Sequence, residues 1–159
     1  MTVSVTLDLA DEAATRRLGE QLAMLSRPGD VVLLAGTLGT GKTTLARAFI
    51  RALTAPDEEV PSPTFTLVQS YDTDRGTVWH FDLYRLEKPG DAFALGLDDA
   101  LADGITLMEW PERLGRHLPR RSLEVRLEAG RDETARRAVL LSHGQWDDRV
   151  GEVSSDGHN

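Results

Sequence analysis

The sequence predicts an α/β fold, a three-layer sandwich with a mostly parallel central sheet and a C-terminal β-hairpin. A fully apolar run at residues 31–35 leads into a glycine-rich loop and then into apolar residues at helical spacing. Two later apolar runs each end in a carboxylate, and the final third alternates apolar and polar residues around a polar turn. At 159 residues the chain can bury one core without metal or disulfide support, so a single domain is expected.

Two elements precede the glycine-rich loop. Residues 2–9 alternate apolar and polar side chains, which predicts a half-buried strand, and Asp11 is placed to start a helix with an apolar stripe. Thr15 lies near the start of that helix. Two interpretations of Thr15 stay open, namely a contact with a bound base if the helix passes a nucleotide, and an exposed helical threonine.

The loop at residues 36–43 reads GTLGTGKT and fits the pattern GxxxxGK[ST] without a gap. Loops of this kind turn backbone N–H groups toward a polyphosphate, and the following helix adds the positive end of its dipole. We expect Lys42 to reach the outer phosphates and the Thr43 hydroxyl to hold a magnesium ion. The pattern therefore predicts a P-loop nucleotide hydrolase or kinase.

The segment at residues 62–68 reads SPTFTLV, and its second half alternates like a strand. Pro63 restrains Ser62 to extended geometry and leaves the Thr64 hydroxyl at the start of the predicted strand. Beside a triphosphate, such a hydroxyl senses the outermost phosphate as a switch segment does. A strand-capping turn explains the same residues equally well.

Two apolar runs, at residues 77–82 and 105–109, end in Asp82 and Glu109. Ligands of doubly wound sheets collect beyond the carboxyl ends of parallel strands, so we expect both acids to converge on the magnesium held by Thr43. One acid would hold the ion, and the other would orient the attacking water or complete the second shell of the metal. The alternative for each is a solvated strand end.

Two residues beside these acids also invite functional interpretations. Trp110 either stacks on a base or packs after a buried strand. His80, close to Asp82, is interpreted as a hydrogen-bonded strand histidine because no second histidine or cysteine lies nearby in sequence. Residues 91–102 read as one or two short helices, broken at Gly96, with a packing role.

The last third predicts a hairpin and then a tail. Residues 122–127 and 137–141 alternate like strands, and a polar turn separates them. From Gly144 onward the chain is polar and glycine-rich. We therefore expect a single domain over residues 1–143 and a loose tail over residues 144–159.

Composition narrows the function classes. The formal charge of −8 disfavours a broad nucleic-acid-binding surface, and the basic patch worth noting lies at residues 113–121. No cysteine occurs, which excludes a disulfide framework and a cysteine-ligated zinc site. No signal peptide and no run of membrane-spanning length is visible, so a cytoplasmic protein without a membrane partner is expected.

Together these motifs resemble the bacterial TsaE (YjeE) family over roughly residues 10–141. The specific marks are the loop with its double threonine Thr43-Thr44, the SPTFTLV segment, the stretch HFDLYRL at residues 80–86, and Glu109-Trp110. The resemblance implies a magnesium-dependent ATPase, weak alone, that works with the TsaB–TsaD pair and meets tRNA only indirectly through that complex. The pair transfers a threonylcarbamoyl group to adenosine in tRNAs that read codons beginning with A, and the ATPase is not itself the transferase.

The resemblance also implies roles for individual residues. Lys42, Asp82 and Glu109 would be catalytic, and Thr43 and Glu109 would ligate Mg2+. The ATP contacts would be Gly39, Thr40, Gly41, Lys42, Thr43, Thr44 and Trp110, and the interpretation of Thr15 as a base contact, which comes from its place on the first helix, adds that residue to the set. A switch or partner surface would be formed by Ser62, Pro63, Thr64, Tyr84 and Arg85. The loop departs from the commoner family pattern at Thr37 and Thr40, but neither change removes a backbone donor.

Two other functions fit the same loop. A small-molecule kinase would use the arginines of residues 113–121 as part of a phosphate-clamping lid. A nucleotide-gated assembly factor would use bound ATP to order a partner surface, with little turnover. A GTPase is excluded because its guanine-reading NKxD motif needs an asparagine, and the only one in the chain is Asn159.

Overall fold

The computed structural model describes residues 2–37, 41–63 and 66–154. Its strands are β1 Val3–Leu9, β2 Val31–Ala35, β3 Val68–Thr73, β4 Gly76–Asp82, β5 Ile105–Glu109, β6 Leu123–Ala129 and β7 Arg136–Ser142. Its α-helices are α1 Glu12–Leu25, α2 Lys42–Leu53 and α3 Leu97–Asp103, and its short 3-10 helices are Pro89–Leu95, Pro111–His117 and Val150–Glu152.

The described strands form one seven-stranded mixed sheet in the order β1-β7-β6-β2-β5-β4-β3. Strand β2 lies at the centre, parallel to β5 and β6, and β4 extends this parallel core beside β5. The predicted parallel core and the C-terminal hairpin of β6 and β7 are confirmed. Because β7 and β3 run antiparallel to the strands they pair with, the sheet is mixed.

Helices cover both faces of the sheet. On one face, α1 and α2 bury an apolar cluster that includes Leu22 and Phe49 against β2, β5 and β6. On the other face, α3 and the 3-10 helices Pro89–Leu95 and Pro111–His117 enclose a second cluster around Phe81 and Met108. The predicted three-layer arrangement is thereby confirmed.

Helices α1 and α2 approach each other closely at Gly19. A Cβ atom at this position would lie 2.5 Å from the Leu45 carbonyl oxygen, so glycine is required for the close contact. Asp11 caps α1 as predicted, because its side chain accepts a 2.9 Å hydrogen bond from the Ala14 N–H. None of the helices in the described ranges combines the length and the apolar composition needed to cross a membrane.

The strand predicted over the second half of residues 62–68 is corrected, because β3 begins only at Val68. Leu67 has φ 68°, in the left-handed region, which an extended strand cannot include. The alternation that suggested a strand therefore belongs partly to a turn, in which the Leu67 N–H donates to the Pro63 carbonyl at 2.7 Å. Thr64 and Phe65 lie outside the described residues.

The expectation of a loose tail does not describe residues 144–154, which pack against the domain. Trp146 and Val150 are buried in the α1–α2 core cluster. Arg149 is also buried and donates to both carboxylate oxygens of Asp30, at 2.6 and 3.0 Å. Gln145 contacts the start of β2, since its side chain accepts from the Val31 N–H at 3.0 Å. A few apolar side chains suffice to hold residues 144–154 against the domain, because a buried ion pair and hydrogen bonds to the backbone accompany them.

Candidate active site

A cleft of about 450 Å³ opens at the carboxyl ends of the parallel strands, beside the start of α2. From α2 and its N-cap, the lining includes Gly41, Lys42, Thr43 and Thr44. From other elements it includes Thr15, Ser62, Asp82, Glu109 and Trp110. The predicted contacts Gly39, Thr40 and Thr64 lie outside the described residues.

Sheet register brings the two predicted acids together. Asp82 and Glu109 are the last residues of β4 and β5, and they lie directly opposite each other in the parallel pair. Side chains alternate between faces along a strand, so these two acids share the face covered by α2. Both are nearly fully buried, and the Asp82 carboxylate accepts a 3.0 Å hydrogen bond from the Tyr84 N–H. The alternative interpretation, in which each acid is a solvated strand end, is therefore wrong for both residues.

Thr43 reaches the same point from α2. Its hydroxyl donates to Glu109 Oε1 at 3.3 Å, so an alcohol and a carboxylate oxygen meet at the helix entrance. Among the described residues, no group of three or more histidine, aspartate, glutamate or cysteine side chains could hold a metal. This donor set fits Mg2+, which takes oxygen ligands and usually keeps waters and substrate phosphate oxygens rather than a full protein cage.

Lys42 is held inside the cleft. Its ammonium donates to the Gly36 carbonyl at 2.6 Å and lies 3.4 Å from the ring centroid of Trp110. Burial lowers the pKa of Lys42 below its ordinary value of 10.5, and the carboxylates of Glu109, Glu112 and Asp82 oppose that shift. A bound polyphosphate would give this buried cation a stronger counter-charge.

The backbone of Trp110 has an unusual conformation. Its φ of 59° is in the left-handed region, which a bulky residue adopts only at a cost of about 1–3 kcal/mol. The indole covers the Lys42 ammonium and contacts the half-exposed Tyr84 ring at a centroid distance of 4.9 Å. Trp110 therefore lines the cleft as a lid on Lys42, and base stacking remains a prediction. Arg85, next to Tyr84, is exposed.

His80 is a hydrogen-bonded strand histidine, as predicted, but its partner was not anticipated. The ring is fully buried, and Nε2 lies 2.7 Å from Glu109 Oε2. His80 and Asp82 are two residues apart on β4, so both point toward the α2 face. The two-residue spacing in the sequence indicates that His80 and Asp82 share a face of β4. Only the register between β4 and β5 identifies Glu109 as the partner of His80.

The cleft also involves residues that were not predicted from the sequence. Glu133, Thr134 and Arg136 line it from the β6–β7 turn and the start of β7. Because β6 runs parallel to β2, the turn after β6 lies at the same edge as the phosphate loop. Thr15 also lines the cleft and is buried, so the interpretation as an exposed helical threonine is wrong.

Comparison with known proteins agrees with this architecture. Residues 9–139 match the family model described as "Threonylcarbamoyl adenosine biosynthesis protein TsaE". The chain belongs to the TsaE family. The matched range contains the phosphate loop, both carboxylates and His80, whereas Arg149 lies beyond it.

Individual relatives extend the likeness over most of the chain. The Rickettsia felis protein named tRNA threonylcarbamoyladenosine biosynthesis protein TsaE is 38% identical over 137 residues, covering 86% of this chain and 80% of that protein. The Aquifex aeolicus TsaE is 41% identical over 106 residues, covering 66% of this chain and 75% of that protein. The crystal structure of Bacillus subtilis YdiB superposes with a TM-score of 0.75 at 26% identity, covering 96% of this chain and 94% of that one.

Proposed function

We propose that this TsaE-family chain binds ATP with Mg2+ and hydrolyses it in the service of threonylcarbamoyladenosine formation on tRNA. The observation that carries the proposal is the meeting of the Thr43 hydroxyl and Glu109 at the helix entrance, with Asp82 opposite Glu109. Relatives named for tRNA threonylcarbamoyladenosine biosynthesis support the pathway. Residues 1–143 would form the ATPase domain, with residues 144–154 packed onto it.

In this proposal the phosphates bind at the start of α2. Backbone donors of Gly39, Thr40 and Gly41, with the hydroxyls of Thr43 and Thr44, surround them, and Lys42 supplies the positive charge. Thr43 and Glu109 hold the magnesium ion, which when bound neutralises charge on the outer phosphates. Asp82 orients the attacking water, because it is the second buried carboxylate at this point.

The switch is proposed to act through Leu67. The Asp82 N–H donates to the Leu67 carbonyl at 3.0 Å, and the Leu67 N–H donates to Pro63. A phosphate contact at Ser62, Pro63 or Thr64 would therefore be transmitted to the strand end that carries Asp82. The exposed Tyr84 and Arg85 follow that strand end, so we place the docking surface for the TsaD–TsaB pair there, with tRNA reached only through the pair.

The nucleoside is proposed to lie away from the metal, between α1 and the β6–β7 turn. Thr15 on α1 and Thr134 and Arg136 at the β6–β7 turn all line the cleft. These residues offer a hydroxyl, a second hydroxyl and a guanidinium for polar contacts with base and ribose. Trp110 lies at the phosphate end, over Lys42, which supports a role near the phosphates.

The test of the proposed function has a biochemical and a cellular part. ATP incubated with the protein, Mg2+ and candidate metabolite acceptors should release phosphate without a phosphorylated metabolite, and a labelled metabolite would favour the kinase. Lys42→Ala should abolish the release. Depletion of the protein should remove threonylcarbamoyladenosine from tRNA, and unchanged nucleoside levels would refute the pathway.

A nucleotide-gated assembly factor is the second candidate. The contacts from Lys42 through Trp110 to the exposed Tyr84 favour it, because they connect the phosphate end of the cleft to the surface. A non-hydrolysable ATP analogue separates the two functions. If the analogue alone supports repeated rounds of modification with the TsaB–TsaD pair, turnover is dispensable and the gating function is favoured.

A further inference from the structure

Strand β4 places an imidazole beneath the proposed metal site. The surrounding layer of the sheet is apolar, with Val78 on β4 and Leu107 on β5 among its members. His80 is fully buried within it, and its Nε2 approaches Glu109 Oε2 to 2.7 Å. A carboxylate accepts hydrogen bonds, so Nε2 carries the proton in this contact.

The two oxygens of Glu109 thus have different partners. Oε2 is held by His80, and Oε1 accepts from the Thr43 hydroxyl at 3.3 Å. The terminal torsion of glutamate is broad, so without a partner at Oε2 the carboxylate plane would not be set. The His80 contact leaves a single oxygen directed toward the magnesium ligand on α2.

We propose that His80 is a positioning residue, which orients Glu109 so that it presents Oε1 to the metal that accompanies the nucleotide. This inference rests on the proposed Mg2+–ATP site and deepens it. Partners of metal-binding groups, when mutated, typically change metal affinity by about 10–100-fold. His80 Nδ1 has no hydrogen-bond partner among the described residues, so the Glu109 contact is the polar interaction that the ring makes there.

A purely structural role is the competing explanation. Buried polar side chains are also tolerated in this sheet without any bond, as Thr106 on the neighbouring strand shows, since its hydroxyl has no partner within the described chain. The two explanations differ in what a substitution changes. Loss of packing lowers stability, whereas loss of orientation weakens metal binding at unchanged affinity for the metal-free nucleotide.

The experiment compares His80→Gln with His80→Leu. Glutamine keeps an N–H donor at about the reach of Nε2, whereas leucine keeps volume and removes the donor. Mn2+ replaces Mg2+ as the probe, and its binding to the ADP complex is titrated by electron paramagnetic resonance. We expect H80L to weaken Mn2+ binding about 10-fold or more and H80Q to restore most of that loss. ADP affinity measured without metal should be unchanged in both.

Controls separate this inference from the proposed function. Thr106→Ala perturbs a fully buried residue whose side chain alternates to the other face, and it should lower stability without altering Mn2+ binding. Glu109→Gln should weaken Mn2+ binding in any case. If E109Q binds Mn2+ normally, the metal site itself is wrong.

Other outcomes bear on His80 alone. Wild-type Mn2+ affinity in H80L would refute the positioning role, and so would equal losses of Mn2+ affinity in H80L and H80Q, because the N–H donor kept by glutamine would then make no difference. If H80L does not fold, His80→Asn takes its place, because the shorter amide cannot reach Glu109. The Mg2+ concentration that half-saturates ATP turnover should then rise in H80N more than in H80Q.

Discussion

At the level of single residues, Lys42 gives the clearest pH dependence. Burial lowers its pKa below 10.5, so it loses its proton earlier than an exposed lysine does as the pH rises. A neutral amine cannot pair with phosphate. We expect ADP affinity, measured by calorimetry, to fall between neutral pH and 10.5. Lys42→Arg is the control, because arginine stays protonated over this range. An equally steep fall in K42R would assign the dependence to another group.

Asp82 is expected to affect the chemistry more than binding. Asp82→Asn keeps the size of the side chain and removes its charge, so the attacking water would lose its acceptor. Turnover of ATP should fall by about 10²–10⁴-fold while ADP affinity, measured by equilibrium dialysis, changes little. Asp72→Asn is a matched control, because Asp72 is exposed in β3 and lies outside the cleft lining. A large loss of ADP affinity in D82N would instead indicate a binding role.

The sequence was sufficient to predict the residues whose position follows from a local rule. Thr43 belongs to a loop motif, and Asp82 and Glu109 follow from the convergence of strand ends. The partner of His80 was not predictable, because it depends on the register of two strands separated by a long connection. The place of Trp110 over Lys42 was not predictable either, since propensity gives no reason for a tryptophan with positive φ.

At the level of elements, the α1–α2 contact depends on the absence of a side chain. Gly19→Ala would force a Cβ atom against the Leu45 carbonyl, and backbone cannot give way as a flexible side chain does. We expect a loss of about 1–3 kcal/mol in the free energy of unfolding, measured with urea. Gly90→Ala is the control, because a Cβ there would meet no atom within 4 Å. Equal stability of G19A and G90A would show that the helices move apart without cost.

Elements with a strong pattern were predicted well, and those governed by individual backbone angles were not. The helix capped by Asp11, the central strand β2 and the hairpin of β6 and β7 match their predictions. The strand beginning before Val68 fails because Leu67 is left-handed, although its neighbours alternate like a strand. Alternation over a few residues does not distinguish a strand from a turn that leads into one.

At the scale of the whole molecule, the ion pair of Arg149 and Asp30 joins the C-terminal segment to the start of β2. Arg149→Ala would leave the Asp30 carboxylate buried without its partner. We expect a loss of about 3–5 kcal/mol in the free energy of unfolding, measured with urea. Arg137→Ala is the matched control, because its 3.5 Å pair with Asp8 is exposed and should contribute at most about 1 kcal/mol. Similar losses in both variants would contradict a special role for the buried pair.

The amino-acid composition of the C-terminal segment led to the prediction of a loose tail, which does not describe residues 144–154. Residues after Gly144 are mostly polar, and a composition argument sees too little apolar surface to order them. The structure orders residues 144–154 with few apolar side chains, chiefly Trp146 and Val150, because Arg149 and Gln145 find partners more than a hundred positions earlier in the chain. Such pairings cannot be inferred from local sequence.

Strand β2 is synthesised before both of the strands that lie beside it in the sheet. Its neighbours β5 and β6 and the segment that fastens its first residue all come from later parts of the chain. A ribosome releases the phosphate loop long before it releases these strands. The newborn chain therefore carries β2 without its neighbouring strands until β5 and β6 have also emerged, and nucleotide can assist folding only from that point on.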